Sequence, residues 1–310
     1  MDKNYDTELH HAARGHQLEE IRRLIISGAD PNLPNRFGRY PLHECVGSLP
    51  CVEFLASQGA ADVNCCKRGD WSVLCLAAHK GYHDVVGFLA RNGADLLAKT
   101  KEGYSPLHLA AAGGHAKTVS ILLEAAAEQG IQYDMRTRSG MVALHLGIEN
   151  LSRLHPAVKG LLHCPFPFPP AAIQGSVETC EHLLRVYPDD VELQDNGGST
   201  PLVSACLSGN EDLVRVLLVR YHASLRVIDK LGRDLMMHAA LAGHVEVMRV
   251  LLEFGLELQA KDTFQGFTPL HHACKEGHLE VVRFLIQHGV STAEEDFKGR
   301  LPEEIGKLPT

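Results

Sequence analysis

Apolar residues recur along the chain as short dense runs, each opened by a small polar residue or proline. Glu8-Leu9-His10-His11-Ala12-Ala13, Pro106-Leu107-His108-Leu109-Ala110-Ala111 and Pro269-Leu270-His271-His272-Ala273 are three of them. Most are followed by a glycine step such as Gly81-Tyr82 or Gly243-His244, then by a second apolar run such as Val281-Val282-Arg283-Phe284-Leu285-Ile286. Glycine suits the left-handed residue that closes a helix, and proline is tolerated at a first helical position, whose N–H has no intrahelical partner. The pattern predicts pairs of short helices joined by tight turns.

The runs are periodic. Their third positions fall at 10, 43, 75, 108, 145, 203, 237 and 271, giving steps of 33, 32, 33, 37, 58, 34 and 34. A period near 33 over the whole chain marks a repeat architecture, in which one unit cannot bury both faces and stacks on its neighbours. The residues from Gly266-Phe267-Thr268-Pro269-Leu270-His271 through Gly289 strongly resemble the ankyrin repeat family. That resemblance implies an all-α ankyrin solenoid of about eight helix-pair units, read as a single domain over 1–310. A degenerate unit at 299–308, with Glu303 and Glu304 where Leu-His would stand, serves as the C-terminal cap. It also implies that His10, His43, His108, His145 and His271 bond turn backbone and tie one unit to the next.

Three units depart from the pattern. The second is short, with Pro50 near the start of its outer helix, and predicts a strained or shortened pair. The fourth carries about four extra residues at 124–130, which predicts a longer outer helix. The fifth holds an insert at 151–174 containing Pro165-Phe166-Pro167-Phe168-Pro169-Pro170; without it the step of 58 becomes 34. Three readings of the insert stay open. It is a Pro-rich loop presenting a peptide, a surface insertion cheap in closure entropy, or a gene-model artefact. The last arises because the Pro-Phe run back-translates to pyrimidines and a Gln174 codon CAG would end an intron.

Net charge changes the picture next. Lys plus Arg total 30 against 38 Asp plus Glu, a balance of −8, which argues against wholesale coating of nucleic acid. No apolar run reaches the roughly 18 residues of a membrane helix, and the polar start at Met1-Asp2-Lys3-Asn4 is not a secretory signal. The nine cysteines are read as reduced core thiols; Cys65, Cys66, Cys75, His79 and His83 do not have the spacing of a zinc finger. There is no phosphate-binding glycine loop, G-x-S-x-G or H-E-x-x-H. The expectation is a non-enzyme with no cofactor and no metal, acting in the cytoplasm, with the nucleus as an alternative, and as a monomer.

Function in this family implies contact through the finger turns and the concave face. The residue before each Thr-Pro-Leu-His position is Arg39, Trp71, Tyr104, Met141, Ser199, Arg233 or Phe267. Trp71, Tyr104 and Met141 are expected to form an exposed apolar stripe, against the plainer reading that each packs on its own finger. Lys67, Arg68, Lys101 and Arg138, with Arg36, Lys99 and Arg136, give the first-half fingers a basic character that could steer an acidic partner segment. Solvated turn charge is the plainer reading. The candidate partner-binding set is Arg39, Lys67, Arg68, Trp71, Lys101, Tyr104, Arg138, Met141, Arg233 and Phe267. The expected activity is that of an adaptor or regulatory subunit for a protein partner. Alternatives are an inhibitor occluding an enzyme's active site and an RNA binder. Residues 62–71 and 191–299 resemble ankyrin proteins that accompany an aminoacyl-tRNA synthetase, which makes such a synthetase one candidate partner. The context of Asn32 resembles that of asparagines hydroxylated in the family.

Overall fold

A computed structural model describes residues 5–133, 136–152 and 172–305. Residues 153–171, which hold most of the expected insert, lie outside the described residues, as do 306–310 of the expected cap. The repeat spacing treats 1–310 as one domain; spatially the chain groups into two compact units, 1–138 with 181–186, and 139–180 with 187–310.

The first unit holds four helix pairs, α1 Glu8–Arg14 with α2 Leu18–Ile26, α3 Pro41–Glu44 with α4 Leu49–Ser57, α5 Val73–Lys80 with α6 His83–Arg91, and α7 Pro106–Ala112 with α8 Ala116–Glu128. First helices pack on first helices (α1 on α3, α3 on α5, α5 on α7), and second helices pack on second helices in the same order. The first helices are short and bury their apolar residues, as Leu74, Cys75, Ala77 and Ala78 are buried in α5. The second helices are amphipathic; α6 buries Val85, Val86 and Leu89 and leaves Asp84 and Arg91 in solvent. The shortened pair is at 41–57, as its spacing predicts, but the loss falls on α3, reduced to four residues. Helix α4 keeps nine, because Pro50 lies in its first turn, where no intrahelical bond is missing. The four extra residues of the fourth pair do lengthen α8, to 13 residues.

The second unit opens with α9 Ala143–Ser152; α10 Ala172–Val186 follows the insert and is shared between the units at residue 181, and a 3-10 turn comes next at Pro188–Glu192. Helix α10 starts three residues before Gly175, where the spacing predicts a junction. Then come α11 Pro201–Ser208 with α12 Glu211–Val219, α13 Leu235–Ala242 with α14 Val245–Glu253, and α15 Pro269–Glu276 with α16 Leu279–Gln287. The short α17 Pro302–Ile305 packs on α15. The first helices stack α9–α11–α13–α15, and the second helices α12–α14–α16.

Two histidine positions fasten repeat to repeat. His10 accepts at Nδ1 from the Thr7 N–H (3.2 Å) and donates from Nε2 to the Arg39 carbonyl of the next repeat (3.0 Å). His43 repeats this with Tyr40 N–H (3.4 Å) and the Trp71 carbonyl (3.1 Å). In the second unit His145 donates to the Ser199 carbonyl (2.9 Å) and His271 to that of Arg300 (3.4 Å). A carbonyl only accepts and an N–H only donates, so these partners fix the neutral Nε2–H tautomer. Burial agrees, pushing His43 down to about 4. At the second position His115, His244 and His278 reach back to the carbonyls of His79, Leu207 and Leu241 (3.1, 3.1 and 3.0 Å). The ring lies where the preceding repeat's helix-closing glycine stands. A Cβ at Gly243, whose φ is 85°, would fall 2.7 Å from Nδ1 of His278. Glycine is required there for backbone and for space alike.

Candidate protein-interaction surface

Most fingers between repeats are built around one acceptor side chain. Asn35 Oδ1 accepts the N–H groups of Phe37 and Arg39, both at 3.0 Å. In the second unit Asp195 does the same for Gly197 and Ser199, Asp229 for Leu231 and Arg233, and Asp296 for Lys298 and Arg300, all at 2.8–2.9 Å. This is the turn an Asn or Asp side chain forms with backbone two residues on. Successive fingers are also joined tip to tip by backbone, for instance Lys101 N–H to the Gly69 carbonyl and Lys230 N–H to that of Gly197, both 2.9 Å.

Lys67 occupies the acceptor's place in the finger before α5 and cannot accept. That finger closes instead as a two-residue antiparallel ladder, β1 Cys66–Lys67 with β2 Trp71–Ser72, and Gly69 and Asp70 turn it at φ of 85° and 60°. This is the small strand content that an all-α reading leaves out.

The structure separates the predicted contact residues. Arg39 Nε lies 2.8 Å from Glu44, which also pairs with Arg14 (3.0 Å). Arg233 is held by Asp229 through Nε and Nη2, both at 2.7 Å. Arg233 thus braces its own finger, and Arg39 ties its finger to α3. Phe267 is only 1% exposed, so its expected surface role is corrected. Its finger, begun by Asp262, is one residue longer than the others. The Asp262 carboxylate takes the N–H groups of residues 264–267, and the ring turns inward to stack on His271 at 5.3 Å. Nor do Trp71 and Tyr104 make an open stripe. Both are half-buried, with Trp71 edge-on to His79 (5.5 Å) beneath the Lys67 ammonium (5.2 Å) and Tyr104 edge-on to His108 (6.4 Å). Met141 is half-buried and belongs to the other unit.

What the first unit does present is charge. Arg68, Lys101 and Arg138 are exposed, as are Arg36, Lys99 and Arg136; Asp70 and Glu102 interrupt them. Arg68 and Lys101 enter none of the described ion pairs. Lys67 sits lower, and burial together with neighbouring Arg39 pushes its ammonium pKa down.

The second unit presents apolar tips that the sequence reading missed. Leu231, Phe264 and Phe297 are 39%, 66% and 67% exposed. They stand two or three residues before the aligned finger position, two at Leu231 and three at Phe264 and Phe297. The one available signal was the recurring Asp at 229, 262 and 296, with each exposed apolar residue one or two positions after it.

Burial pushes the thiols of Cys65 and Cys75 up to about 12 and about 11, which keeps them protonated. Among the described residues no three His, Cys, Asp or Glu come together to hold a metal ion, and no helix is long and apolar enough to cross a membrane. Asn32 is exposed, yet both ends of its carboxamide are in use: Oδ1 accepts the Asp62 N–H (2.9 Å) and Nδ2 donates to the Ala60 carbonyl (3.0 Å). Asn64 repeats the link one unit on, with Asp95 and Gly93.

These geometries meet the comparisons with known proteins at the repeat itself. Cyclin-dependent kinase 4 inhibitor B of Mus musculus is 40% identical over 109 residues, 34% of this chain and 80% of that protein. Neurogenic locus notch homolog protein 1 of Xenopus tropicalis is 32% identical over 133 residues, 42% of this chain but only 5% of the relative's own length. Transient receptor potential cation channel subfamily A member 1 of Homo sapiens is 27% identical over 156 residues, 48% of this chain and 14% of that one. The sequence model described as Ankyrin repeats (3 copies) matches residues 9–100, 92–166, 170–262 and 218–296. With most of the histidine ties, glycine-closed helix pairs and bonded fingers falling inside those matches, the chain belongs to the ankyrin repeat family.

Proposed function

We propose that this chain is a non-catalytic adaptor or regulatory subunit that holds a protein partner by the outward side chains of its fingers. Ankyrin repeats are protein–protein interaction modules, and family members are generally not catalysts. The observation that carries the finer reading is the basic edge of the first unit. Arg68, Lys101 and Arg138 are exposed on consecutive fingers, while the rings of Trp71 and Tyr104 lie against their own histidines. Such an edge suits an acidic segment of the partner, because complementary charge governs encounter rate and register. The fingers act here as a monomer in the cytoplasm, and an aminoacyl-tRNA synthetase is one candidate partner.

The test is affinity purification with mass spectrometry on the wild type beside Arg68→Glu/Lys101→Glu. A protein recovered by the wild type and lost by the variant supports the reading; the same proteins with both would sink it. RNA recovered in place of protein, with a steep salt dependence, would favour the nucleic-acid alternative.

A second reading is favoured by the 40% identity to a protein named as a kinase inhibitor. An inhibitor suppresses its partner's activity at saturating concentration, whereas an adaptor leaves that activity intact. An assay of the purified partner with and without the chain separates the two.

A further inference from the structure

We propose that the finger tips of the second unit form a second docking surface, for a segment of another protein in which apolar residues stand beside carboxylates. It rests on different residues from the basic edge of the first unit.

Leu231, Phe264 and Phe297 lie on three fingers joined directly by backbone. The Thr263 N–H donates to the Leu231 carbonyl (3.2 Å), and the Phe297 N–H to the Gln265 carbonyl (2.9 Å). Phe297 does not dangle. Its ring covers the preceding finger, where a Cβ at Gly266 would fall 2.6 Å from Cδ1, yet two-thirds of it faces solvent. Phe264 is as open. Large apolar groups held in a row and left in water mark a binding surface.

Charge identifies the occupant. Each of the three fingers contains an aspartate, and by composition these would offset nearby lysines. The structure turns all three inward. Asp229, Asp262 and Asp296 are buried; one oxygen of each is filled by backbone N–H groups and the other faces Arg233, His272 or Arg300 (2.7, 3.1 and 2.7 Å). Lys230 and Lys298 remain outside, exposed at the two ends of the row, and enter none of the described ion pairs. Outwardly the row is apolar with a lysine at each end and one carboxylate, Glu295, exposed beside the last finger, and an apolar segment bearing carboxylates matches the apolar groups and the two lysines. An anionic membrane would meet the same chemistry, but a surface of that extent also feels the chain's net charge of −8. A short segment senses only the groups within about 10 Å at ordinary ionic strength.

The test is selection of a random peptide display library on the full chain, run in parallel on Phe264→Ser/Phe297→Ser and on Lys230→Glu/Lys298→Glu. Circular dichroism checks that both variants keep the wild-type helix content. The expected result is wild-type enrichment of peptides with interleaved apolar and acidic residues. These bind the serine variant at least ten-fold more weakly, and the charge-reversed variant selects peptides without acidic residues. Three results would overturn the proposal: enriched peptides that bind both variants as well as wild type, no enrichment at all, or co-sedimentation of the wild type with phosphatidylserine vesicles that the serine variant loses. Should the serine variant misfold, the charge-reversed variant alone decides, since it leaves the apolar row untouched. Because neither variant alters Arg68 or Lys101, loss here leaves the partner captured through the first unit unaffected, so the two readings fail separately.

Discussion

In the finger at 229–233 the aspartate that builds the turn is buried and gripped by Arg233; in the finger at 67–71 the same place holds Lys67, whose ammonium lies over Trp71. One choice of residue moves a charge from inside to outside. In the second unit the last three fingers internalise their aspartates and show solvent leucine and phenylalanine with a lysine at either end of the row. In the first, the position carries Asn35, Lys67 and Thr100, and the tips expose Arg36, Arg68 and Lys101 beside Phe37, Asp70 and Glu102. The joints beneath the fingers are nonetheless the same in both units. A shared scaffold thus carries two surfaces, and what distinguishes them is which side chain satisfies the turn's backbone.

The largest effects should come from the shared joints. Gly81→Ala in the first unit and Gly243→Ala in the second each force a side chain into a left-handed residue and against a histidine ring. We expect each to cost about 3–4 kcal/mol from the two causes together. Gly277→Ala has the same φ of about 83° with nothing within 4 Å, and should cost only about 1 kcal/mol. Urea titration of the three variants measures this; equal losses at 243 and 277 would show that the ring contact is unimportant.

Acid should weaken the His43 joint before the carboxylate-built turn at 296–300. His43 is held neutral down to about 4 against an ordinary 6.5, so the unfolded chain binds the extra proton between those values. Stability from this joint is complete above about pH 6.5 and falls towards pH 4, by about 3 kcal/mol at most. Asp296 is depressed, to about 2, so the 296–300 turn keeps its contribution above the ordinary carboxylate range and loses it as pH falls through about 2. Hydrogen-exchange protection at pH 7 and pH 4.5 should therefore drop near His43 and Trp71 while the Lys298 and Arg300 amides hold. His43→Gln should flatten the first change.

Within the fingers, Asp262→Ala strands several N–H groups and should cost about 2 kcal/mol. Thr100→Ala removes a single bond to the Tyr104 N–H (3.2 Å) and should cost about 1 kcal/mol or less. Thermal melts of the pair test whether the second unit's fingers are the more tightly specified. Smallest of all, the outward variants Arg68→Glu/Lys101→Glu should change stability by less than about 0.5 kcal/mol while altering binding.

Much of the fold was legible because its rules are local. His10, His43 and His271 recur at a near-constant step, and each sits where a helix N-terminus and a neighbouring carbonyl need one imidazole. The lengthened α8 followed from simple counting. Which helix of the 41–57 pair shrinks was not legible, since Pro50 is as acceptable inside a first turn as before it. The surface was harder still. Trp71 and Phe267 occupy the aligned finger position, but whether such a ring faces out depends on how the turn four or five residues earlier is closed. Lys67 forces a ladder that folds Trp71 back. The extra residue in 262–267 swings Phe267 in and Phe264 out. Arg39 and Arg233 look alike as free cations in sequence, and only the folded positions of Glu44 and Asp229 show them paired.

The central claim is that the outward tips, and not the aligned aromatic positions, carry the partner. The direct measurement is the affinity of the recovered partner by calorimetry at low and high salt, for wild type, Arg68→Glu/Lys101→Glu and Trp71→Ala. The account predicts a loss of at least ten-fold, about 1.4 kcal/mol, for the charge reversal, larger at low salt, and little change for Trp71→Ala. A partner that binds the charge-reversed chain at full strength but loses its hold on Trp71→Ala would contradict it.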